Sequence, residues 1–501
     1  MQLARRCVLA LTLSILLGSS TLVRAAKPTE AQIRCIVEQL QASALSPQDL
    51  KKSREAFLNA PAQTKALRRK LQKEGFTSAA LNEEILKNHN THYTKEIPDA
   101  HIWDQQRTGD CWDMSACRVE VDELIRRGVV GKGFRISTND IYFKAMYEKS
   151  NKWLVERVSQ FLKPGLSDDS LLSITDVGGA VGDGGFYEYF PFIVAKYGAV
   201  PQSAMKSTAS FRDSSNMNQE LSRKLAAISK AMLEKYKSFQ FEKGQQILNS
   251  PQVSELLKIR EDGMKDIFNI LGSHLGVPPE KFTFRFKDGT KKVFTPKQFA
   301  HDVLRFNPKK NVVISSDPTL PYDQAFAARG SEMGIERPKD PDSGDQFLNV
   351  QRDRLLELVK KSIDHGHAVW FGADANQSMI PISHSDPRAA GIMHPRIFKT
   401  DDIYRAPNGE RFSNITDPKE ERLFGLTEMD HAMAIVGYDL DENGNIIKLK
   451  VANSWGKKAG TKGYFHMYKE WFDKYVTEAA IQEGLLGSAE RELLAKPKTP
   501  L

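Results

Sequence analysis

The segment Asp104-Gln-Gln-Arg-Thr-Gly-Asp-Cys-Trp112 sets the predicted architecture of this chain, because it joins a turn to the start of a helix. The turn-forming residues Thr-Gly-Asp precede Cys111, and apolar residues recur at helical spacing from Trp112 to Ile125. We therefore predict that Cys111 lies at or just inside a helix N-terminus. There the helix dipole and the free backbone N–H groups favour a thiolate, the form of cysteine that attacks carbonyl carbons.

Gln105 lies six residues before Cys111, far enough for the chain to fold back on itself. Its side-chain amide would then lie beside the backbone N–H of Cys111, and two such donors form an oxyanion hole. Each donor of this kind contributes about 3 kcal/mol to transition-state stabilisation. The alternative is a structural cysteine on a buried helix, which is the more frequent environment of a single free cysteine.

A second pair of candidate residues lies far downstream. Residues 430–438 alternate and then become apolar, which is typical of a half-buried strand that begins near His431. A turn and a second strand over residues 446–452 follow, and this strand ends at Asn453. An antiparallel hairpin would bring Asn453 beside His431, where its amide fixes the imidazole tautomer and directs the other ring nitrogen at a thiol. Trp455 would shield that hydrogen bond from water.

Each of these residues has an ordinary structural explanation when it is considered alone. A histidine at the start of a strand is more often a satisfied core residue, and an asparagine at a strand end is more often part of a turn. The four together, in the chain order Gln105, Cys111, His431 and Asn453, predict a thiol hydrolase. No H-E-x-x-H or G-x-S-x-G motif occurs, which removes the common zinc and serine hydrolase interpretations.

Further motifs extend this pattern along the chain. The site itself contributes Gln-x5-Cys-Trp112, His431-Ala-Met433 and Asn453-Ser-Trp-Gly456. Outside it stand Gly182-Asp-Gly-Gly185, Lys196-Tyr-Gly-Ala-Val-Pro-Gln-Ser-Ala-Met205, Leu275-Gly-Val-Pro-Pro-Glu-Lys-Phe-Thr-Phe284, Phe294-Thr-Pro-Lys-Gln-Phe299, Ala368-Val-Trp-Phe-Gly-Ala-Asp374 and Gly463-Tyr-Phe-His-Met-Tyr-Lys-Glu-Trp-Phe-Asp473. With these motifs, residues 95–480 resemble papain-like cysteine peptidases, and more closely their bleomycin hydrolase / aminopeptidase C branch.

The resemblance and the distribution of predicted helices and strands imply an α+β, papain-like two-lobed fold, with a helical lobe, a β lobe and a helical insertion. The predicted division is a signal peptide (1–25), an N-terminal helical wrap (26–95), a helical lobe with the catalytic cysteine and the insertion (96–275), a β lobe with the histidine and asparagine (276–480), and a C-terminal helix and arm (481–501). A propeptide that plugs the cleft until it is removed is the alternative for residues 26–95.

Substrate contacts are predicted in the cleft. The glycine-rich stretch 182–185 lacks the spacing of a phosphate-binding loop. In the resembled fold a comparable glycine loop lines the cleft, so the resemblance assigns substrate binding to Gly184 and Gly185, with Trp112 and Trp455 as further candidates. In the resembled branch the last residues lie in the cleft and the terminal carboxylate anchors the substrate's α-amino group. That role would fall to Leu501.

The C-terminal sequence differs from that of the resembled bleomycin hydrolase / aminopeptidase C branch. A final helix over Ala489–Ala495, capped by Ser488, precedes an extended arm with prolines at 497 and 500. A frayed tail is the alternative to an arm that reaches Cys111.

His365-Gly-His367 is interpreted as a surface turn, because no further ligand cluster has zinc spacing, and we expect no cofactor and no metal.

Residues 1–25 have the pattern of a secretory signal peptide. Arg5-Arg6 precede an apolar run from Val8 to Leu17, and small residues lead to Ala25. The run is too short to span a bilayer comfortably. We expect cleavage after Ala25, a mature chain with no membrane span, and a periplasmic or secreted location. Export departs from the familiar members of the resembled branch, which look cytosolic.

Composition limits the remaining alternatives. The 501 residues include 40% hydrophobic residues, enough for one large or two medium domains. The formal net charge is +8, but the basic residues are scattered, so we expect no specific nucleic-acid partner. Four cysteines are too few for a disulfide scaffold, although a Cys35–Cys117 disulfide remains an alternative.

The sequence therefore predicts thiol-dependent hydrolysis of peptide bonds, with aminopeptidase action on peptide substrates as the preferred subtype. The alternatives are an exported papain-like endopeptidase and a catalytically inactive peptide-binding protein. A homo-oligomer, a hexameric ring, is what the resemblance suggests for the assembly.

Overall fold

The computed structural model describes residues 29–98, 101–164, 166–174, 181–239, 241, 248–327, 346–383, 386–405, 415 and 417–496. The predicted signal peptide and Leu501 lie outside these residues. The described chain forms two compact units: residues 29–79 with 400–405, and the remainder. The N-terminal wrap stays a prediction, and the division between the units falls at residue 79 where the sequence suggested 95.

Eighteen α-helices are present in the described part of the chain. They are α1 (Glu30–Ala42), α2 (Pro47–Leu58), α3 (Ala62–Glu74), α4 (Phe76–Ala80), α5 (Glu83–Asn88), α6 (Cys111–Arg126), α7 (Thr138–Phe161), α8 (Asp168–Ile174), α9 (Tyr189–Tyr197), α10 (Ala209–Arg212), α11 (Ser215–Ser238), α12 (Ser250–Leu275), α13 (Pro296–Phe299), α14 (Arg352–Asp364), α15 (Thr400–Tyr404), α16 (Pro418–Leu423), α17 (Lys469–Tyr475) and α18 (Ser488–Ala495). Short 3-10 and π turns occur at Pro387–Ala389, Glu483–Leu485 and Ala300–Leu304.

Capping explains where two of the helices begin. The Ser137 side chain accepts the Asp140 N–H and starts α7. The predicted cap of the last helix is wrong by one residue, because α18 begins at Ser488 and its N-cap is Gly487. Gly487 has no polar side chain that could cap the helix. The carboxylate of Glu490 instead accepts the Gly487 N–H at 2.6 Å.

Twelve strands form two sheets in the described residues. They are β1 (Lys95–Glu96), β2 (Phe282–Arg285), β3 (Lys291–Phe294), β4 (Asn311–Ser315), β5 (Gln324–Ala327), β6 (Gln346–Asn349), β7 (Val369–Ala373), β8 (Ile392–Met393), β9 (His431–Leu440), β10 (Ile446–Ala452), β11 (Tyr464–Tyr468) and β12 (Val476–Gln482). The large sheet has the order β5-β6-β4-β12-β7-β9-β10-β11-β8, with β1 also paired to β9, and β2-β3 is a separate hairpin.

The predicted hairpin between the two downstream motifs is present. β9 and β10 pair antiparallel, with Ala452 opposite Ala434. The turn between them closes where the Asp441 N–H donates to the Asn445 carbonyl at 2.9 Å, and Gly444 supplies the positive φ of +82°. The hairpin returns the chain to the start of β9, so the residue after β10 lies beside the first residue of β9.

Two large apolar clusters form the core, and the large sheet contributes residues to both of them. One cluster joins α6, α7, α9, α11 and α12, and the other joins the large sheet to α14 and α17. The β2-β3 hairpin belongs to the helical cluster, although its sequence was placed with the β lobe. Its aromatic residues explain this placement, because Phe284 packs edge-on against Phe134 with ring centroids 5.9 Å apart.

Two buried hydrogen bonds fix α6 against the sheet. The Ser115 hydroxyl donates to the carbonyl of Ala432 at 2.9 Å, and the Trp370 indole N–H donates to the carbonyl of Trp112 at 3.1 Å. Both tryptophans are fully buried. These bonds set the distance between the start of α6 and the start of β9.

Among the described helices, none is long and apolar enough to cross a bilayer.

Ser115→Ala should lower the free energy of unfolding by about 1 kcal/mol, because it removes a buried hydrogen bond between α6 and β9. Chemical denaturation measures this change. Ser159→Ala is the matched control, since that exposed hydroxyl bonds only within its own helix, and its effect should stay within about 0.5 kcal/mol. Equal losses in the two variants would contradict the role given to Ser115.

Candidate active site

Cys111 is the first residue of α6, as predicted from the turn that precedes it. The residue is 8% exposed, and its Sγ lies 4.0 Å from the carbonyl oxygen of Gly109. Its backbone N–H is one of the first four in the helix, which have no carbonyl partner inside the helix. The structure therefore places a sulfur atom and a free backbone donor at the same point of the chain.

His431 and Asn453 lie together at the open end of the β9-β10 hairpin. The imidazole Nε2 is 2.9 Å from the Asn453 Oδ1, which also accepts the backbone N–H of Ser454 at 2.7 Å. Because this backbone donor fixes the amide orientation, Oδ1 faces the ring and Nε2 carries the proton. The other ring nitrogen, Nδ1, is then the acceptor, as a base directed at a thiol requires.

Trp455 covers this hydrogen bond. Its ring stacks on the His431 imidazole with centroids 4.7 Å apart and an interplanar angle of 26°. An apolar cover raises the strength of a hydrogen bond, because it excludes competing water. Trp455 is therefore placed to support the histidine, and its predicted substrate contact stays a prediction.

Gln105 lies in the same cleft as Cys111 and is hydrogen-bonded to Ser454, the residue after Asn453. One side-chain N–H donates to the Thr108 carbonyl at 2.7 Å, and the side-chain oxygen accepts the Ser454 hydroxyl. An amide nitrogen carries two hydrogens, and the second has no partner within the described ranges. Gln105 can thus offer one donor to an oxyanion beside Cys111.

Three of the four residues, Gln105, Cys111 and His431, line a cleft of about 580 Å³. Its described lining consists of Gln105, Gly109, Cys111, Lys149, Lys152, Trp153, Glu156, Gly182, Gly184, Gly185, Phe186, Tyr189, Met429, Asp430, His431 and Ala432. Gly184 and Gly185 are therefore on the cleft wall, where the predicted glycine loop should be. A side chain at Gly185 would lie 2.8 Å from the Trp112 ring, so the loop needs glycine there.

Trp112 does not line the cleft. The side chain is fully buried beneath the glycine loop, and its indole N–H donates to the Asp183 carbonyl at 3.1 Å. Its predicted direct contact with substrate is therefore wrong, because the loop lies between the ring and the cleft. Leu501 lies outside the described residues, and its predicted anchoring role stays a prediction.

Burial determines the protonation of the reactive pair. It raises the pKa of the Cys111 thiol to about 12, and the carboxylates of Asp110 and Asp430 act in the same direction. It lowers the pKa of His431 to about 4. Backbone hydrogen bonds from Ala432 and from Trp112 at the helix start lower the pKa of Cys111, in the direction predicted for a helix N-terminus, but burial has the larger effect. A proton transfer from Cys111 to His431 would leave the combined charge of the two side chains unchanged, so burial would oppose it less than it opposes either charge alone.

Sequence reasoning missed several residues that shape the site. Ser454 links Gln105 to Asn453 through its hydroxyl and backbone groups. Asp183 and Lys149 hold the glycine loop, and only the position of Asp183 inside the glycine-rich stretch could have signalled this. Cys117 is a free buried thiol that donates to Asp113, which contradicts the Cys35–Cys117 disulfide.

No group of three histidine, cysteine or acidic side chains in the described ranges is placed to hold a metal ion. His367 of the His-Gly-His stretch lies 3.3 Å from the carboxylate of Glu123 instead.

The chain is similar over most of its length to proteins named as aminopeptidases. Residues 44–501 match the model of the Peptidase C1-like family. Aminopeptidase E of Lactobacillus helveticus is 28% identical over 466 residues, which cover 91% of this chain and 98% of that protein. Aminopeptidase C of Lactococcus lactis subsp. cremoris is 30% identical over 420 residues, covering 81% and 86%. The crystal structure of PepW from Lactobacillus rhamnosis HN001 has a similar fold, with a TM-score of 0.78, 24% identity and coverage of 92% and 98%.

The chain therefore belongs to the Peptidase C1-like family, as a cysteine peptidase of the bleomycin hydrolase and aminopeptidase C branch. The family match and the fold of PepW also confirm the predicted papain-like α+β architecture.

His431→Ala should slow alkylation of Cys111 by iodoacetamide at pH 7 by at least about 100-fold, as loss of a general base does. The variant has a thiol without a neighbouring base, and burial raises the pKa of Cys111 in the wild type, so the thiolate of the variant should form at alkaline pH. The alkylation rate should therefore rise about tenfold per pH unit above neutrality. His367→Ala, which removes a histidine outside the cleft lining, is the control. Equal rates at pH 7 in the wild type and His431→Ala would contradict the pairing.

Proposed function

We propose that this protein is a thiol-dependent aminopeptidase in which Cys111 is the nucleophile and His431 the general base. The observation that carries this proposal is the meeting of both residues in one cleft, with the histidine held by Asn453 through Nε2. Each residue type suits its role, since a thiol is the strongest nucleophile among side chains near neutral pH and an oriented imidazole can accept its proton.

In the first half of the proposed reaction, the Cys111 proton moves to Nδ1 of His431 and the sulfur forms a bond to the peptide carbonyl carbon. The electron pair of the carbonyl moves onto its oxygen, which the Gln105 amide and the Cys111 backbone N–H stabilise. The imidazolium then gives its proton to the leaving amine, the C–N bond breaks, and a thioester remains. Asn453 holds the ring in one orientation throughout.

In the second half, His431 takes a proton from water, and the resulting nucleophile attacks the thioester carbonyl. The C–S bond breaks, the sulfur regains its proton from the imidazolium, and the carboxylic acid leaves. The same donors stabilise the second oxyanion. The net charge of the buried pair is unchanged at the start and end of each half, as the burial of Cys111 and His431 requires.

The preference for a free amino terminus is supported by the relatives, which are named as aminopeptidases. A bound amino terminus needs an anionic partner. Both carboxylates in the described lining are already engaged: Glu156 pairs with Lys152 at 2.8 Å, and Asp430 accepts from the Ala375 N–H and from Asn376. From the resemblance to the aminopeptidase C branch, we propose that the terminal carboxylate of Leu501 supplies the anchor.

The enzyme should hydrolyse a fluorogenic substrate with a free amino-terminal residue and should leave the N-acetylated twin intact. Acetylation removes the positive charge that the anchor binds, so the two substrates differ in their electrostatic attraction to the anchor. Cys111→Ala should abolish turnover while the variant stays folded. Cleavage of internal bonds in blocked peptides would instead establish an endopeptidase, and absence of all cleavage would leave a peptide-binding protein.

Deletion of residues 497–501 tests the anchor separately from the chemistry. The truncated chain should lose discrimination between the free and acetylated substrates and gain internal cleavage. A chain extended by one residue after Leu501 is the matched control, because it keeps the arm but moves the carboxylate. Unchanged specificity in both variants would assign the anchor to another group.

We also propose that the protein is exported and acts in the periplasm or outside the cell. The proposal rests on the basic, apolar and small-residue segments of residues 1–25. Mass spectrometry of the mature chain should find Ala26 at the amino terminus, because the residues before the predicted cleavage site are small. A protein that retains residues 1–25 and stays in the cytosol would contradict export.

A further inference from the structure

We propose that Asp183 is a positioning residue that holds two loops of the cleft in register with the nucleophile. The first is the nucleophile loop, residues 104–110, and the second is the glycine loop, residues 182–185. The inference rests on the proposed function, because it concerns how substrate is held against Cys111. No part of the sequence analysis assigned a role to this side chain.

Asp183 joins the two loops directly. Its Oδ2 accepts the backbone N–H of Gly109 at 3.0 Å. The approach is close enough that a Cβ on Gly109 would lie 2.5 Å from the Cβ of Asp183, so only glycine fits. Gly109 is two residues before the nucleophile, and its carbonyl oxygen is the one that lies near the Cys111 sulfur.

The backbone of Asp183 continues the connection into α6. Its carbonyl oxygen accepts the indole N–H of Trp112 at 3.1 Å, and Trp112 is the residue after the nucleophile. One aspartate therefore contacts the chain on both sides of Cys111, through its side chain before the nucleophile and through its main chain after it.

The helical lobe supplies three further donors to the carboxylate. The Tyr142 hydroxyl donates to Oδ1 at 2.7 Å, the Asn218 amide donates to the same oxygen, and the Ser214 hydroxyl donates to Oδ2. With the Gly109 N–H, the carboxylate accepts four hydrogen bonds. An ionised carboxylate has acceptor sites for about four donors and donates nothing, whereas an asparagine would present N–H groups to other donors.

Lys149 of α7 also holds the glycine loop. Its ammonium donates to the carbonyl oxygens of Gly182 and Gly184, the residues on either side of Asp183. The loop is thus held both by the carboxylate of its second residue and by a lysine of α7. This leaves the backbone of Gly184 and Gly185 in one position on the cleft wall.

A peptide that pairs with the glycine loop depends on this position. If the loop shifts relative to Cys111, the scissile carbonyl no longer meets the sulfur and the oxyanion donors together. Displacements of about 1 Å can lower turnover on the order of 100-fold. A small alkylating reagent has no peptide backbone that must pair with the glycine loop, so its reaction with Cys111 should not depend on Asp183.

The test compares peptide hydrolysis with iodoacetamide alkylation in Asp183→Asn. We expect kcat/KM to fall by about 100-fold, with a rise in KM and a fall in kcat, while the alkylation rate of Cys111 stays within about threefold. Asp266→Asn is the matched control, because this exposed carboxylate pairs with Lys224 and contacts neither loop. Its hydrolysis should equal that of the wild type. Ser214→Ala, which removes one donor from Oδ2, should lower kcat/KM by several-fold and serves if Asp183→Asn does not fold.

Two results would overturn the inference. Hydrolysis at the wild-type rate by both Asp183→Asn and Ser214→Ala would show that the loops keep their position without Asp183. A parallel fall of hydrolysis and alkylation would show that Asp183 supports the Cys111–His431 pair and not the loops. If the wild-type enzyme hydrolyses no peptide but is alkylated at Cys111, the proposed function fails, and this outcome is distinct from either of the others.

Discussion

Burial of the Cys111–His431 pair is the constraint on which the rest of the site depends. Water would stabilise a thiolate or an imidazolium separately, but the residues are 8% and 7% exposed. Burial therefore favours the uncharged form of each side chain, and a proton passed from one to the other would leave their combined charge unchanged. That constraint explains why the imidazole has a fixed tautomer and why the ring is covered by Trp455. It also explains why the supporting hydrogen bonds come from uncharged groups such as Asn453 and Ser454.

The geometry of the pair follows from how two elements meet. α6 begins at Cys111 and β9 begins at His431, and a hydrogen bond from Ser115 to Ala432 joins them one turn and one residue farther along. The turn residues before α6 and the alternation along β9 are local signals. The first residues of both elements could therefore be predicted from the sequence. The hairpin that returns Asn453 to His431 could be predicted as well, because its turn and two strands are contiguous.

Contacts between distant segments could not be predicted in this way. Nothing in the spacing of Trp112 shows that the glycine loop covers its ring, and the substrate contact predicted for it was wrong for that reason. The Phe282–Phe294 hairpin was placed with the strands because of its pattern, yet its aromatic side chains pack in the helical core. The carboxylate of Asp183 gathers donors from residues 109, 142, 214 and 218, and no local pattern encodes such a cluster.

The central claim is that the thiol of Cys111 carries out the hydrolysis. The direct measurement is peptide mapping by mass spectrometry after partial inactivation with a neutral alkylating reagent, with residual hydrolysis measured on the same samples. The account predicts that the label is on Cys111, that the fraction labelled equals the fraction of activity lost, and that the buried Cys117 is unlabelled. Full labelling of Cys111 with hydrolysis retained, or loss of hydrolysis without that label, would contradict the account.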